Sequence, residues 1–254
     1  MKKIHLILAF TFLILGACST QTPDTKNPDI FNSWSKSLKD TPNEITIIAN
    51  GLIQSPDNPV ISVSSVLPEF GDYKSARMSV NELEIPENIQ HPIRYKTFSH
   101  TNSNFDKAKL LFGRNMNLLI SNGVKNARTS AETAPYIPQI INMKISGSDI
   151  ASESINLNKD LVIRWNMDKS NAKPVVVIVT GQLSPKSEII SIVKETPDNG
   201  EIIITKSDLE KIPANSSASI TVSRGNQEIL NMDGKNVKVS AVTYSANIGL
   251  KFIR

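Results

Sequence analysis

The stretch Leu161-Val162-Ile163-Arg164-Trp165 shows the pattern that decides the fold. Its apolar residues alternate along the chain, which is the period of a half-buried β-strand. Trp165 alternates in phase with Leu161 and Ile163, so we expect it to fill a core rather than bind a sugar ring. Comparable runs follow at Ile140–Ile145, Val175–Thr180, Ile189–Lys194, Glu201–Thr205, Ser219–Ser223, Gln227–Asn231, Val237–Tyr244 and Gly249–Phe252. So many short strands over about 115 residues predict a two-sheet sandwich.

Three short segments among these strands have the composition of turns. Asp198-Asn199-Gly200 and Asp233-Gly234 predict tight hairpins, because Asp, Asn and Gly tolerate the positive φ that such turns require. Arg224-Gly225-Asn226 is interpreted as a further tight turn, not as an adhesion tripeptide.

The C-terminal half resembles an immunoglobulin-like domain of bacterial envelope proteins. The residues that carry the resemblance are Leu161–Asn166, Val175–Val179 and the stretch from Ser207-Asp208-Leu209 to the Ser219–Arg224 strand. It is a resemblance of pattern, because the cysteine pair that links the sheets of antibody domains is absent. It implies a fold and leaves the function open.

A second β-domain is predicted before this one. From Asn43 onward, apolar residues alternate with mostly polar neighbours at Ile45/Ile47, Ile61/Val63, Met78/Val80, Ile93/Tyr95 and Met116/Leu118/Ile120. The prolines of Pro135-Tyr136-Ile137-Pro138 favour a stiff, extended linker. We therefore predict an all-β protein with two antiparallel domains in tandem, 29–134 and 139–254, joined by the linker 135–138.

The first residues have the layout of a secretory signal. Lys2 and Lys3 precede an apolar run from Ile4 to Leu15, which is too short for a transmembrane helix of about 20 residues. Leu15-Gly16-Ala17-Cys18 resembles the lipobox of bacterial lipoproteins. That resemblance implies a cleaved signal peptide (1–17), fatty acylation of Cys18, a lipidated tether (18–28), and a protein anchored in the cell envelope. We expect the outer membrane, with the side left open; a plain signal peptide is the alternative.

A short helix is predicted between the tether and the first strand. Asp29 can cap it, and Ile30, Phe31, Trp34 and Leu38 share one face at helical spacing. This face docks on a partner or a membrane surface, or it packs on the domain that follows. The second alternative is favoured.

The net charge argues against a nucleic-acid-binding protein, and the cysteine content argues against a fold held by disulfides. The formal charge of +4 falls to about +2 when Lys2 and Lys3 leave with the signal, which is too little for a basic nucleic-acid-binding stripe. The single cysteine leaves no intrachain disulfide, so the core alone must hold the fold. We expect no nucleic-acid partner.

Catalytic and metal-binding patterns are weak. Histidines of the mature chain are confined to His91 and His100, and neither a nucleophile motif nor a zinc motif is present. Oxygen-rich turns such as Asp168 with Asn171 lack the calcium-loop spacing, so we interpret them as turns held by backbone hydrogen bonds. We predict no enzyme activity, no cofactor and no metal.

The leading functional hypothesis is a non-enzymatic, lipid-anchored binding or assembly module for a protein or glycan partner. Phe70, Tyr73 and Tyr95 are the candidates for an exposed aromatic platform, because they lie in or near predicted loops. The alternatives are a lipid-anchored hydrolase of envelope polysaccharide or peptide, and an accessory subunit of a secretion or uptake complex.

Overall fold

The computed structural model describes residues 41–52, 55–70, 77–85, 93–121, 126–128, 135–146 and 154–254. In these ranges the protein is all-β, as the sequence predicts. Two short helices interrupt the strands, α1 (Phe105–Lys109) and α2 (Lys206–Leu209), together with a 3-10 turn at Pro68–Phe70. No helix in the described ranges is both long and apolar enough to cross a bilayer.

The strands, in chain order, are β1 (Asn43–Leu52), β2 (Ser55–Val66), β3 (Arg77–Val80), β4 (Leu83–Ile85), β5 (Ile93–Phe98), β6 (Arg114–Asn115), β7 (Leu118–Ser121), β8 (Asn126–Arg128), β9 (Tyr136–Ile137), β10 (Met143–Ser146), β11 (Ser154–Asn156), β12 (Leu161–Trp165), β13 (Val175–Gln182), β14 (Ile190–Thr196), β15 (Glu201–Ile204), β16 (Ser217–Met232) and β17 (Lys235–Ile253).

One eight-stranded sheet runs through the whole protein. Its order is β14-β13-β16-β17-β1-β2-β5, with β11 also paired to β17. β1 lies parallel to β17, from Asn43 beside Val237 to Leu52 beside Ala246, and β11 is also parallel to β17. The predicted purely antiparallel pairing is therefore wrong at these two places, because strands distant in sequence meet there without a hairpin.

The centre of this sheet is a long hairpin, β16–β17, which we call the shared hairpin. Its turn is Asp233-Gly234, with φ of 51° and 78°, which confirms the predicted tight turn. The predicted turn at Arg224-Gly225-Asn226 is wrong, because these residues lie inside β16. The predicted strands Ser219–Ser223 and Gln227–Asn231 are thus one long strand, β16, and Val237–Tyr244 and Gly249–Phe252 are one long strand, β17.

The N-terminal body packs the sheet β4-β3-β7-β8 over one half of the large sheet. Its core contains Ile45, Ile47, Val63, Met78 and Leu118, and also residues of the shared hairpin: Leu230, Met232, Val237, Val239 and Ala241. The domain boundary predicted at 135–138 therefore needs correction. The N-terminal core is completed by the last strands of the chain, because the hairpin is long enough to reach both cores.

The C-terminal body is a two-sheet sandwich. The sheet β10-β12-β15 faces β14-β13-β16-β17, and the core between them contains Ile163, Val177, Ile220 and Phe252. Trp165 is buried in this core, as predicted. The two sheets face each other across this core, which is the arrangement of a β-sandwich.

Asp198-Asn199-Gly200 is a turn but not a hairpin. Gly200 has the expected positive φ, of 87°. The flanking strands, however, pair elsewhere, β14 with β13 and β15 with β12. The turn carries the chain from one sheet of the sandwich to the other.

Candidate functional site: the junction between the two bodies

A belt of polar side chains crosses the shared hairpin between the two cores. Along β16 the core-facing residues are apolar up to Val222 and again from Leu230. Between them lie Arg224, Asn226 and Glu228, in phase with the core residues because side chains alternate along a strand. β16 therefore packs in the C-terminal core before this belt and in the N-terminal core after it.

Arg224 is the centre of the belt. Its side chain is 0% exposed, and its Nη1 donates to Asp198 Oδ2 at 2.6 Å, where the carboxylate is 2% exposed. Nε donates to the Gln139 carbonyl at 3.0 Å and Nη2 to the Asn166 carbonyl at 3.1 Å. One guanidinium therefore joins β16, the segment between the bodies and two loops of the sandwich, and we call this contact set the arginine clamp.

Asp198 is held by more than the arginine. The indole Nε1 of Trp165 donates to Oδ1 at 2.8 Å, and the Asn171 amide donates to Oδ2 at 3.2 Å. The Trp165 backbone amide donates to the Gly200 carbonyl. A Cβ on Gly200 would come 3.1 Å from the Trp165 carbonyl oxygen. The tight turn therefore needs glycine for its close approach as well as for its φ.

Asp168 also holds the segment between the bodies, through Tyr136 and Gln139. The Tyr136 hydroxyl donates to its Oδ1 at 2.9 Å, and the amides of Gln139 and Ser170 donate to its carboxylate at 2.8 and 3.1 Å. Burial, followed by the hydrogen bond to Asp168, raises the pKa of Tyr136 to about 12. The oxygens of this turn are used in hydrogen bonds within the protein, most of them to backbone amides.

The predicted linker is built into the fold. Tyr136–Ile137 is strand β9 and pairs with β6, while Ile137 enters the N-terminal core and Ile141 the C-terminal core. The Thr243 hydroxyl also donates to the Gln139 carbonyl, at 2.8 Å. The segment is thus anchored to both bodies and fixes their relative orientation.

An open depression of about 450 Å³ lies at this junction, beside α1. Its lining residues are Asp106, Lys109, Leu110, Phe112, Gln139 and Ile140. Leu110 is 58% exposed, although it lies next to the buried Phe112. Lys109 and the almost fully exposed Asp106 form a long ion pair of 3.9 Å at the rim. The depression thus combines the apolar residues Leu110, Phe112 and Ile140 with a charged pair at its rim.

The aromatic platform predicted from the sequence is not found at Phe70. That residue is only 8% exposed, because it packs in the N-terminal core beneath the Lys235 ammonium, 4.7 Å from the ring centre. The expectation of an exposed Phe70 is wrong. Tyr73 lies outside the described residues, as does Cys18; Tyr95 lies in β5, but its side chain is outside the description.

The described residues offer little for acid–base or metal chemistry. Within the described ranges, no three His, Cys, Asp or Glu side chains are grouped closely enough to hold a metal ion. The buried carboxylates Asp168 and Asp198 are engaged by the donors given above. His100 is exposed, and His91 lies outside the described residues.

Sequence reasoning missed Arg224, Asp198 and Leu110. A signal was present for Arg224: it continues the alternation of Ile220 and Val222, so a charge stands where a core residue is expected. Leu110 carried no such signal, because its exposure depends on how α1 ends beside the other body.

Comparisons with known proteins leave the family open. No family model and no curated protein matches the chain. Solved structures titled "Cytokine receptor complex", crystal forms 2 and 1A, match at TM-scores of 0.29 and 0.27 with 9% identity. The matches cover 70% and 79% of this chain and 88% and 94% of those chains. Likenesses at these TM-scores carry no argument about function.

Proposed function

We propose that this chain is a non-enzymatic, lipid-anchored cell-envelope protein that binds a partner protein at the junction of its two β-bodies. Cys18 would carry the acyl chains, and residues 18–28 would link the anchor to the body. Two or three acyl chains hold a protein on a membrane far longer than one does.

The observation that carries the binding role is the exposed Leu110 in the junction depression. Isolated exposed apolar residues are common on protein surfaces, as at Leu183 and Ile203, so the argument rests on the position of Leu110 in a concave site that Phe112 and Ile140 also line. The arginine clamp supports this role because it holds Gln139 and Ile140, which form one side of the depression. A rigid surface loses less conformational entropy when it binds.

A protein partner is favoured over a glycan. Sugar binding commonly uses an exposed aromatic ring, and every aromatic side chain that the structure describes is buried or half-buried. The hydrolase alternative needs a carboxylate in a cleft, free to transfer protons. Asp106 at the depression is almost fully exposed to solvent, Asp198 is engaged by Arg224, and Asp168 accepts hydrogen bonds from Tyr136, Gln139 and Ser170.

The test is co-purification from detergent-solubilised membranes of the source organism. Wild-type protein, Leu110→Asp and the matched control Ile203→Asp would be compared by quantitative mass spectrometry. Ile203 is 51% exposed on β15, away from the junction. We expect a partner that Ile203→Asp retains and Leu110→Asp loses by about tenfold or more, as for an interface hot spot.

Equal recovery of every captured protein by Leu110→Asp would refute the junction as the binding site. Release of the partner by a polysaccharide-degrading enzyme, rather than by protease, would favour the glycan alternative. A partner that is itself a membrane transport component would make this chain an accessory subunit. The anchor is tested separately by mass spectrometry of the native N-terminal peptide, which should begin with diacylated Cys18.

A further inference from the structure

The large sheet ends at β14, and the edge of this strand carries exposed apolar side chains. In the described part of the chain, β14 pairs with β13 alone, through a register that covers all seven of its residues. Ile192 points into the C-terminal core, so Val193 points to the opposite, outer face, where it is 39% exposed. Ile189, just before the strand, is 50% exposed. Unpaired backbone groups beside apolar side chains are a template for a further strand.

β14 lacks the devices that commonly protect a sheet edge. Protected edges are short, or they carry a proline, a bulge or an inward-pointing charge. β14 has seven residues, contains neither proline nor glycine, and pairs with β13 without a register shift. The charge on its core side, Lys194, is neutralised by Asp208, with 2.9 Å between Nζ and Oδ1. The edge is therefore open to pairing.

The opposite edge of the same sheet differs in charge. β5 contains Arg94 and Lys96 and no acidic residue, so two copies of this strand would repel each other. β14 contains one positive and one negative residue, Lys194 and Glu195, and has no net charge. Charge therefore disfavours self-association at β5 and permits it at β14.

The sequence of β14 is complementary to itself when two copies run antiparallel. A two-fold axis at Val193, the middle residue of Ile190–Thr196, pairs every residue of the strand. The resulting pairs are Ile190 with Thr196, Ser191 with Glu195, Ile192 with Lys194, and Val193 with its own copy. These pairs bring no like charges together, whereas an axis one residue further along would set Lys194 against Lys194.

We propose that β14 pairs antiparallel with β14 of a second copy of this chain, about a two-fold axis at Val193, and joins two large sheets into one. The paired length is about 23 Å at 3.3 Å per residue. The pairing covers Val193 at the axis. Beyond the strand it sets the exposed Ile189 opposite Pro197, which is also exposed.

The dimer is weak in dilute solution. One added strand covers less surface than the roughly 800 Å² per partner of a standard interface. The anchor proposed at Cys18 would confine both copies to one membrane plane and raise their effective concentration. That consequence depends on the proposed anchor, whereas the pairing itself does not.

The first test is analytical ultracentrifugation of the soluble mature chain that carries Cys18→Ser, at about 10 µM and about 500 µM, which brackets weak dimers. Val193→Lys places two positive charges opposite each other at the axis. The matched control is Val60→Lys, because Val60 is 43% exposed on the outer face of the same sheet but lies on β2, in the N-terminal body.

We expect the parent and Val60→Lys to dimerise as concentration rises, and Val193→Lys to dimerise about tenfold or more weakly, since like charges directly opposite each other destabilise strand pairing. A parent that stays monomeric at about 500 µM would overturn the proposal. A dimer that Val193→Lys leaves unchanged would overturn it as well.

Cysteine crosslinking tests the register and also decides the case in which Val193→Lys unfolds the chain. Residues directly opposite each other in antiparallel strands are close enough for a disulfide. In the Cys18→Ser chain, Val193→Cys should therefore crosslink to its own copy on oxidation. Ser191→Cys and Glu195→Cys should crosslink only when the two variants are mixed. Each lies about 13 Å along the strand from its own copy, beyond the reach of about 7 Å between Cα atoms.

Val60→Cys is the control for random collision. Val193→Cys that crosslinks no faster than Val60→Cys refutes the pairing, and Ser191→Cys that crosslinks alone as readily as in the mixture refutes the register. These readouts use a soluble chain, no other protein and no residue of the junction. Their failure is therefore distinguishable from a failure of the proposed binding function.

Discussion

Replacing Arg224 with methionine tests whether the two bodies are held together by the arginine clamp. Methionine keeps most of the side-chain volume but leaves the Asp198 carboxylate buried without its cation. Removing one partner of a buried ion pair costs about 3–5 kcal/mol, because the remaining charge stays desolvated. The Asn166 carbonyl also loses its Nη2 donor, whereas the Gln139 carbonyl keeps the Thr243 hydroxyl. We therefore expect a loss of about 4 kcal/mol.

The assay is urea and thermal unfolding of the soluble mature chain in a Trp34→Phe background, which leaves Trp165 as its one tryptophan, followed by circular dichroism and by fluorescence. A loss of 4 kcal/mol corresponds to a fall in Tm of about 8–16 °C for a protein of this size. The fluorescence should respond to the substitution as well, because the indole Nε1 donates to the same carboxylate that Arg224 neutralises.

Arg164→Met is the matched control. Arg164 pairs with Glu201, but their side chains are 53% and 43% exposed. Solvent-exposed ion pairs contribute at most about 1 kcal/mol, so the control should lose less than that. Equal effects of Arg224→Met and Arg164→Met would refute the reasoning, because burial would then have no influence on the cost.

A double variant separates charge from shape. In Arg224→Met/Asp198→Asn the buried charge is gone, while the new amide oxygen still accepts from Trp165. The double variant should recover at least about 1 kcal/mol relative to Arg224→Met alone, because a buried charge without its partner is the costliest part of the change. A double variant less stable than Arg224→Met would contradict this origin of the stability.

Three further outcomes follow from the packing. Gly181→Ala should lose about 1–3 kcal/mol, because its Cβ would lie 2.5 Å from Ile212 Cγ2 inside a packed core, whereas Gly51→Ala, with 3.5 Å to its nearest atom, should be near neutral in the same urea experiment. Tyr136 and Tyr244 have pKa values raised to about 12, so their contribution to stability is complete below pH 10 and is lost between pH 10 and 12. Ultraviolet titration should show both phenols ionising near pH 12 rather than near pH 10. Phenylalanine at both positions should reduce the loss of stability over this pH range. Calorimetry of the wild type should give one transition, since the shared hairpin belongs to both cores; two well-separated transitions would show that the bodies unfold independently.

The alternation of apolar residues was sufficient to predict the all-β class and the burial of Trp165, and the residue types of Asp233-Gly234 were sufficient to predict its turn. Each of these depends on neighbouring residues only: a period of two exposes one face of a strand, and a positive φ is a property of the turn residues themselves. These features could therefore be predicted without knowing where any strand lies in the sheet.

Tertiary structure alone decided which strands pair and which charges are buried. The polar run at Arg224 looked like a turn because its partner, Asp198, is distant in sequence, and only the folded chain brings that carboxylate within 2.6 Å. The shared hairpin and the burial of Phe70 have the same origin, since both depend on packing between segments far apart in the chain. Local pattern determines which face of a strand avoids water, whereas the partner that covers this face is selected by long-range packing, which no single stretch of sequence encodes.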